Sequence, residues 1–308
     1  MRIAVVGAGA VGLSVAARLS TVADVYAVAR KRHADAIRAH GFAMTGIWGD
    51  ATYRFPCGEE LPAGERFDYV IITSKSRDTE AICEQFADAV AGAETVSLQN
   101  GIGNEEVIAG YAKGVIGGMI ITGFEWRGDG AVHVSVEAGP IRLGRFPAGT
   151  DEAVNALAAC FRKAGMNVET SPDIRADLWG KTLYNAALNP LGAIMDVAYG
   201  ELCHPAAWHV IGNIVAEAFA VCTAEGITLA WATPAGYLAY LRDVQLPATA
   251  LHHSSMLQDI KAGRRTEIDF INGAVVEKGR AHGIPTPVNA TLVDLIRFRE
   301  HLALGRDE

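Results

Sequence analysis

Ile3-Ala4-Val5-Val6-Gly7-Ala8-Gly9-Ala10-Val11-Gly12-Leu13 is the stretch that decides the fold. Four apolar residues read as a buried strand, and the glycines after them have G-x-G-x-x-G spacing ahead of a helical run. Gly7 permits the tight turn, Gly9 lets the backbone approach a pyrophosphate, and Gly12 lets the helix pack closely on the strand. The first N–H groups of that helix and its dipole then favour phosphate. Gly7, Ala8, Gly9, Ala10, Val11 and Gly12 are therefore the predicted dinucleotide-binding stretch. The alternative, a merely tight strand-to-helix turn, fits less well with a position on the first strand of a βαβ chain.

Outward from this motif, Val25–Ala29, Tyr69–Thr73, Thr95–Leu98 and Val115–Ile121 are further strand candidates alternating with helical patterns, the signature of a parallel sheet covered on both faces. Gly41–Cys57, with Gly46 and Trp48-Gly49-Asp50 between alternating runs, reads as an inserted hairpin. Val132–Val136 and Ile141–Gly144 read as an antiparallel pair extending the sheet edge. After Ser171-Pro172-Asp173 the strand signals stop, and apolar residues recur at helical spacing over Leu178–Val197, Ala206–Ala224 and Ile268–Gly283. The fold class is thus α/β: an N-terminal Rossmann-like dinucleotide-binding domain over 1–170 and a C-terminal all-helical substrate and catalytic domain over 171–308. A length of 308 residues suits two domains.

Composition narrows the function classes. Lys plus Arg is 27 against 35 Asp plus Glu, a net charge of −8, which argues against a nucleic-acid or anionic-membrane surface. Cys57, Cys83, Cys160, Cys203 and Cys222 form no C-x-x-C pair, so neither a zinc site nor a disulfide framework is expected and the thiols read as reduced and cytoplasmic. The early apolar run resembles a signal peptide only superficially, since glycines at fixed spacing and Arg18 interrupt it. No apolar run approaches the ~18–20 residues of a membrane span. The expected partner is a small molecule, and the composition leaves room for a homodimer.

Other residues carry candidate chemistry. An NAD-binding fold places an acid at the end of the second strand to hold the ribose 2′-hydroxyl. Here Arg30-Lys31-Arg32 stands there, and Asp24 precedes the strand at its other end. Arg30 suits an adenosine 2′-phosphate, which favours NADP, against the alternative of a solvated basic turn. Lys75, at the end of Tyr69–Thr73, faces either a cofactor phosphate or water. Asn100, after Thr95–Leu98, is read from the residues alone as part of an Asn-Gly turn. Lys181, Asn185 and Asn189 recur at i, i+4 and i+8, so one helical face carries an ammonium and two carboxamides, either a structural ladder or the lining of a polar pocket. Pro190 then ends or kinks that helix. His252-His253-Ser254-Ser255 and Thr266-Glu267-Ile268-Asp269 gather further polar groups, the latter as a helix start, and the adjacent histidines lack metal-ligand spacing.

Together these residues resemble the ketopantoate reductase family, the 2-dehydropantoate 2-reductases, over nearly the whole chain. The resemblance rests on G-A-G-A-V-G at Gly7, Q-N-G at Gln99, K-x-x-x-N-x-x-x-N-P at Lys181, and S-S-M-x-x-D with T-E-I-D-x-I-N-G after Ser254, in order. It implies NADPH as hydride donor and reduction of 2-dehydropantoate to (R)-pantoate on the route to pantothenate and coenzyme A. It implies Lys181 as catalytic lysine and general acid, and Asn100 as the asparagine shared by cofactor and substrate. Asn185 and Asn189 become the substrate asparagines, Ser255 the serine on the substrate carboxylate, and Glu267 the glutamate near cofactor and lysine. Tyr199 and His252 depart from the asparagines of some relatives. The competing readings are an NADP-dependent reductase or opine-type dehydrogenase of another 2-keto acid, and a non-catalytic NADP-binding regulator, against which the polar face around Lys181 speaks.

Overall fold

A computed structural model describes residues 1–305. The chain forms two units, one of Met1–Gln99 with Gly103–Asp177 and one of Asn100–Ile102 with Leu178 onward. The expected division at 170 therefore moves to Asp177. Ser171 Oγ donates to the Asp177 carboxylate, whose other oxygen lies 3.5 Å from Arg142, and Ile174 packs where Gly117 leaves no room for a side chain. These ties hold 171–177 to the sheet.

The first unit runs β1 (Arg2–Val6), α1 (Ala10–Leu19), β2 (Asp24–Val28), α2 (Lys31–His40), β3 (Phe42–Gly46), β4 (Ala51–Tyr53), β5 (Cys57–Gly58), β6 (Tyr69–Ile72), α3 (Thr79–Gln85), α4 (Ala87–Gly92), β7 (Glu94–Ser97), α5 (Asn104–Ala109), β8 (Gly114–Met119), β9 (Thr122–Gly128), β10 (Ala131–Glu137), β11 (Ile141–Arg145), α6 (Glu152–Lys163) and β12 (Val168–Thr170). Eight strands form one sheet in the order β12-β11-β8-β7-β6-β1-β2-β5, with only the β11–β8 pairing antiparallel. Alternation along β1 explains its unbroken apolar run. Ile3 and Val5 pack with Leu13 and Val15 on one face, while Ala4 and Val6 pack with Val70, Ile72 and Phe86 on the other.

The expected hairpin over 41–57 is present as antiparallel β3–β4, but it belongs to a second sheet, β4-β3-β10-β9. The pairing of 132–136 with 141–144 is corrected: β10 pairs antiparallel with β9 and parallel with β3, while β11 joins the main sheet. Gly128-Asp129-Gly130 makes the β9–β10 turn, with Gly128 and Gly130 at φ 140° and 70°, a backbone closed to most side chains. Val132 and Val134 then bury against the core that contains Trp48 and Phe124.

The second unit contains α7 (Ile174–Met195) from Leu178 on, α8 (Pro205–Ala224), α9 (Pro234–Tyr240), α10 (Leu246–Thr249), α11 (Ser255–Lys261), α12 (Asn272–Ala281) and α13 (Pro287–Leu304). Pro190 does not end α7, contrary to the simplest reading. A proline leaves the carbonyl four residues earlier without its helical donor, and here Asn272 Nδ2 donates to that Ala186 oxygen at 3.2 Å. Helix α8 is long and apolar enough by composition to cross a membrane. Its Ile211, Ile214, Val215, Ala218 and Val221 are instead core residues, and its Glu217 carboxylate accepts from the Val288 and Asn289 amides that open α13.

Candidate active site

The Gly7 turn takes φ 63°, and a methyl at that position would collide with Ser74, so only glycine fits. At Gly12 a methyl would collide with the Thr73 hydroxyl, which explains the close approach of α1 to β6. Gly9 is different, because a side chain there would meet nothing within 4 Å. Gly9 also caps α1 without any side-chain hydrogen bond, and no acid occupies the first turn. Orphan N–H groups at an open glycine cradle, backed by the helix dipole, fit the pyrophosphate of a dinucleotide. Ala8, Ala10 and Val11 lie in that cradle.

At the end of β2, Arg30 caps α2, is exposed, and has no acidic partner among the described residues. Its neighbours are engaged, Lys31 with Asp35 at 2.8 Å and Arg32 with Asp129 at 3.5 Å. Asp24 sits at the opposite end of β2 and accepts from Arg2 Nε at 2.8 Å. The region is braced by His33, which the sequence did not single out. Its buried imidazole stacks on Trp126 at 4.1 Å and receives the Gly130 amide at 3.3 Å, tying the β9–β10 turn to α2. Burial and the adjacent Arg32 and Arg30 lower its pKa, favouring the neutral ring. Lys75 is half-buried at the cap of a short 3₁₀ turn over Ser76–Asp78. Gln99 donates to the Ser74 carbonyl at 3.0 Å and to Thr79 Oγ1 at 2.8 Å, fixing the loop against which Gly7 packs.

In the second unit, Lys181, Asn100 and Glu267 form one hydrogen-bonded chain. Lys181 Nζ donates to Asn100 Oδ1 at 2.6 Å, and Asn100 Nδ2 donates to Glu267 Oε2 at 3.1 Å. The carboxylate accepts only, so it fixes the flip of the carboxamide and presents its oxygen to the ammonium. Ile102 N bonded to the Phe270 carbonyl at 2.9 Å holds the Asn100 segment in place. Burial pulls the Lys181 pKa down from 10.5 to about 8, against the attraction of Glu267, which raises it. An amine poised near neutrality is suited to proton transfer. Glu267, expected to start a helix, instead precedes a short 3₁₀ turn over Ile268–Phe270, with Thr266 Oγ1 accepting from Ile268 N at 3.2 Å.

The other predicted residues separate into two groups. Asn185 is half-buried and has no hydrogen bond from its side chain among the described residues, and Ser255 is exposed at the first turn of α11. Asn189 is 3% exposed, and its Oδ1 accepts from the Tyr199 hydroxyl at 2.6 Å. Ser254, not Ser255, is the cap of α11 and bonds the Asn189 carbonyl at 3.2 Å. Sequence reasoning missed Tyr184, three residues beyond Lys181, a spacing that places it on the same side of the helix.

The model of the family described as ketopantoate reductase PanE/ApbA matches residues 3–148, and that of its C-terminal part matches 173–300. A 2-dehydropantoate 2-reductase of Archaeoglobus fulgidus is 35% identical over 298 residues, 96% of this chain and 97% of that protein. One of Pyrococcus horikoshii is 33% identical, with 99% of each chain covered. Among solved structures, a PanE/ApbA family ketopantoate reductase from Ralstonia eutropha is 31% identical with a TM-score of 0.88, covering 98% of this chain and 99% of that one. A ternary complex of D-mandelate dehydrogenase with NADH and anilino(oxo)acetate is 27% identical with a TM-score of 0.89 and the same coverage.

Proposed function

Because the chain belongs to the ketopantoate reductase family, we propose that it reduces 2-dehydropantoate to (R)-pantoate in pantothenate biosynthesis, with NADPH as hydride donor. The observation that carries this reading is the Lys181–Asn100–Glu267 chain, a positioned ammonium of lowered pKa. A bound reduced dinucleotide supplies hydride to the substrate's ketone carbon. The glycine cradle at Gly7–Gly12 holds its pyrophosphate, and Arg30, exposed and without an acidic partner among the described residues, supports NADP over NAD, as does the lack of an acid in the sequence at that end of β2. Lys75 stands on the loop after β6 as a further cation for the cofactor.

Negative charge gathers on the ketone oxygen in the transition state. Lys181 Nζ hydrogen-bonds that oxygen and gives it a proton as general acid. Asn100 aims the ammonium and Glu267 fixes Asn100. Asn185 and Ser255 have polar groups open to a ligand, Ser255 for the carboxylate and Asn185 for a substrate oxygen. The free thiols of all five cysteines support a reducing, cytoplasmic setting.

Following NADPH absorbance with 2-dehydropantoate tests the proposal directly. Turnover is expected in the parent, and Lys181→Ala is expected to lose roughly 10²–10⁴-fold in kcat/KM. No oxidation of either NADPH or NADH with 2-dehydropantoate or other 2-oxo acids would reject the reductase reading.

A further inference from the structure

The end of β2 runs into Arg30-Lys31-Arg32, and the first turn of α2 holds no acid. A carboxylate nevertheless reaches this corner from elsewhere in the chain. The β9–β10 turn, Gly128-Asp129-Gly130, is fastened to α2 through His33: the Gly130 amide, 97 residues further on, donates to its Nδ1 at 3.3 Å, and Trp126 stacks on its ring with the planes 7° apart. That fastening sets Asp129 Oδ1 3.5 Å from Arg32 Nε and 3.5 Å from His33 Nδ1. Arg30 belongs to the same cluster, since its charge acts on the His33 ring together with those of Arg32 and Asp129.

The charges at this corner can be balanced one by one. Lys31 is met within α2 by Asp35 at 2.8 Å. His33 favours its neutral form. Arg32 is set against Asp129, and both side chains are more than half exposed, at 60% and 52%. Arg30 is the cation left without an acidic partner among the described residues. An ion pair as exposed as Arg32–Asp129 adds little to the stability of the fold. Its effect on a ligand is larger, because a 2′-phosphate is an anion that gains from each uncompensated guanidinium and is opposed by a carboxylate, whereas a 2′-hydroxyl carries no charge for either to act on.

We propose that Asp129 sets the coenzyme preference of this chain: by holding Arg32 it leaves a 2′-phosphate one cation, Arg30, and so keeps the preference for NADP over NAD smaller than Arg30-Lys31-Arg32 would give by itself. Asp129 acts through Arg32 and is a positioning residue. The inference rests on the reading of Arg30 as the 2′-phosphate contact and adds to it a determinant from a distant turn. Sequence spacing carries no sign of it, because the acid of a dinucleotide fold is sought at the end of β2 and this one arrives from the β9–β10 turn.

The test measures the dissociation constants of NADPH and NADH by titration calorimetry, without substrate, in the parent, Arg30→Asp, Asp129→Asn, Arg32→Ala and the Arg32→Ala/Asp129→Asn double variant. Asparagine suits a turn as well as aspartate does and removes only the charge. Asp129→Asn is expected to raise the preference for NADPH roughly threefold to tenfold, the scale of one partly exposed ionic contact, by tightening NADPH while NADH stays within about twofold. Thermal unfolding is expected to be unchanged. In the Arg32→Ala background the same change is expected to move the preference less than about twofold. Mere damage to the turn weakens both dinucleotides together, so a common loss, or a preference that does not rise, overturns the inference. A full gain in the absence of Arg32 overturns the route through that residue. A preference that falls with Arg30→Asp but does not rise with Asp129→Asn overturns this inference alone, whereas one indifferent to Arg30→Asp overturns the 2′-phosphate reading and the inference with it.

Discussion

Replacing Glu267 by glutamine tests whether a charge acts on Lys181 through Asn100. Glutamine keeps an acceptor for Asn100 Nδ2 and removes only the negative charge. The ammonium and the carboxylate are linked by hydrogen bonds of 2.6 and 3.1 Å across one carboxamide, which puts them within about 8 Å of each other. At an effective dielectric of about 20 their attraction is roughly 2 kcal/mol, or about 1.5 pKa units before solvent at the half-buried lysine trims it. The general acid works only when protonated, so kcat/KM in the parent is flat at low pH and falls tenfold per unit above the Lys181 pKa of about 8. Losing Glu267 favours the neutral amine, and the falling limb of Glu267→Gln is expected on the order of one pH unit lower. The assay is kcat/KM for 2-dehydropantoate from about pH 5.5 to 9.5, read by NADPH absorbance. A limb that stays near pH 8 in an active variant refutes the electrostatic role of Glu267. A parent profile flat through pH 9.5 refutes Lys181 as the acid.

Arg30→Asp is expected to lower the ratio of NADPH to NADH efficiency about 10–100-fold, the loss of one charge-assisted phosphate contact; an unchanged ratio makes the basic turn a solvated surface. Glu105, buried at 2% exposure with its pKa raised by burial to about 7, holds a proton in the folded state that the unfolded chain releases at lower pH. Stability therefore falls as pH rises through that window, and Glu105→Gln is expected to exceed the parent by on the order of 2 kcal/mol at pH 8 and to lose that advantage near pH 4, as measured by urea unfolding. Asn272→Ala strands the Ala186 carbonyl beneath Pro190 and one bond to Asn289 Oδ1, for an expected loss of about 1–3 kcal/mol in thermal or chemical unfolding.

Where chemistry is local, the chain announced it. The Gly7–Gly12 motif states its own geometry, because a turn at φ 63° and a close helix approach are decided by residues within one strand-to-helix junction. Lys181, Asn185 and Asn189 were likewise legible as one helical face from spacing alone. What spacing left open was which carboxamide is open to a ligand. Asn185 and Asn189 are equivalent by periodicity, yet the Asn189 oxygen is taken by the Tyr199 hydroxyl ten residues away, and only the fold brings that phenol to it. Asn100 shows the reverse. Its Asn-Gly context reads as a turn, and its place beside Lys181 depends on a pairing 81 residues distant, with Gly101 at φ 82° passing too close to the Phe270 backbone for any side chain. The β10–β3 pairing was hidden for the same reason, since a parallel contact between residues nearly ninety apart leaves no periodic trace in either strand. The same fold-dependent contacts also divide the labour within the site. The contacts that stayed invisible in sequence are those that orient, Glu267 on Asn100 and Tyr199 on Asn189, while Lys181 was legible from spacing as a group placed to act. Loss of the group that acts, Lys181, should therefore remove turnover, whereas loss of a group that orients, such as Glu267 on Asn100, should shift its pH dependence instead.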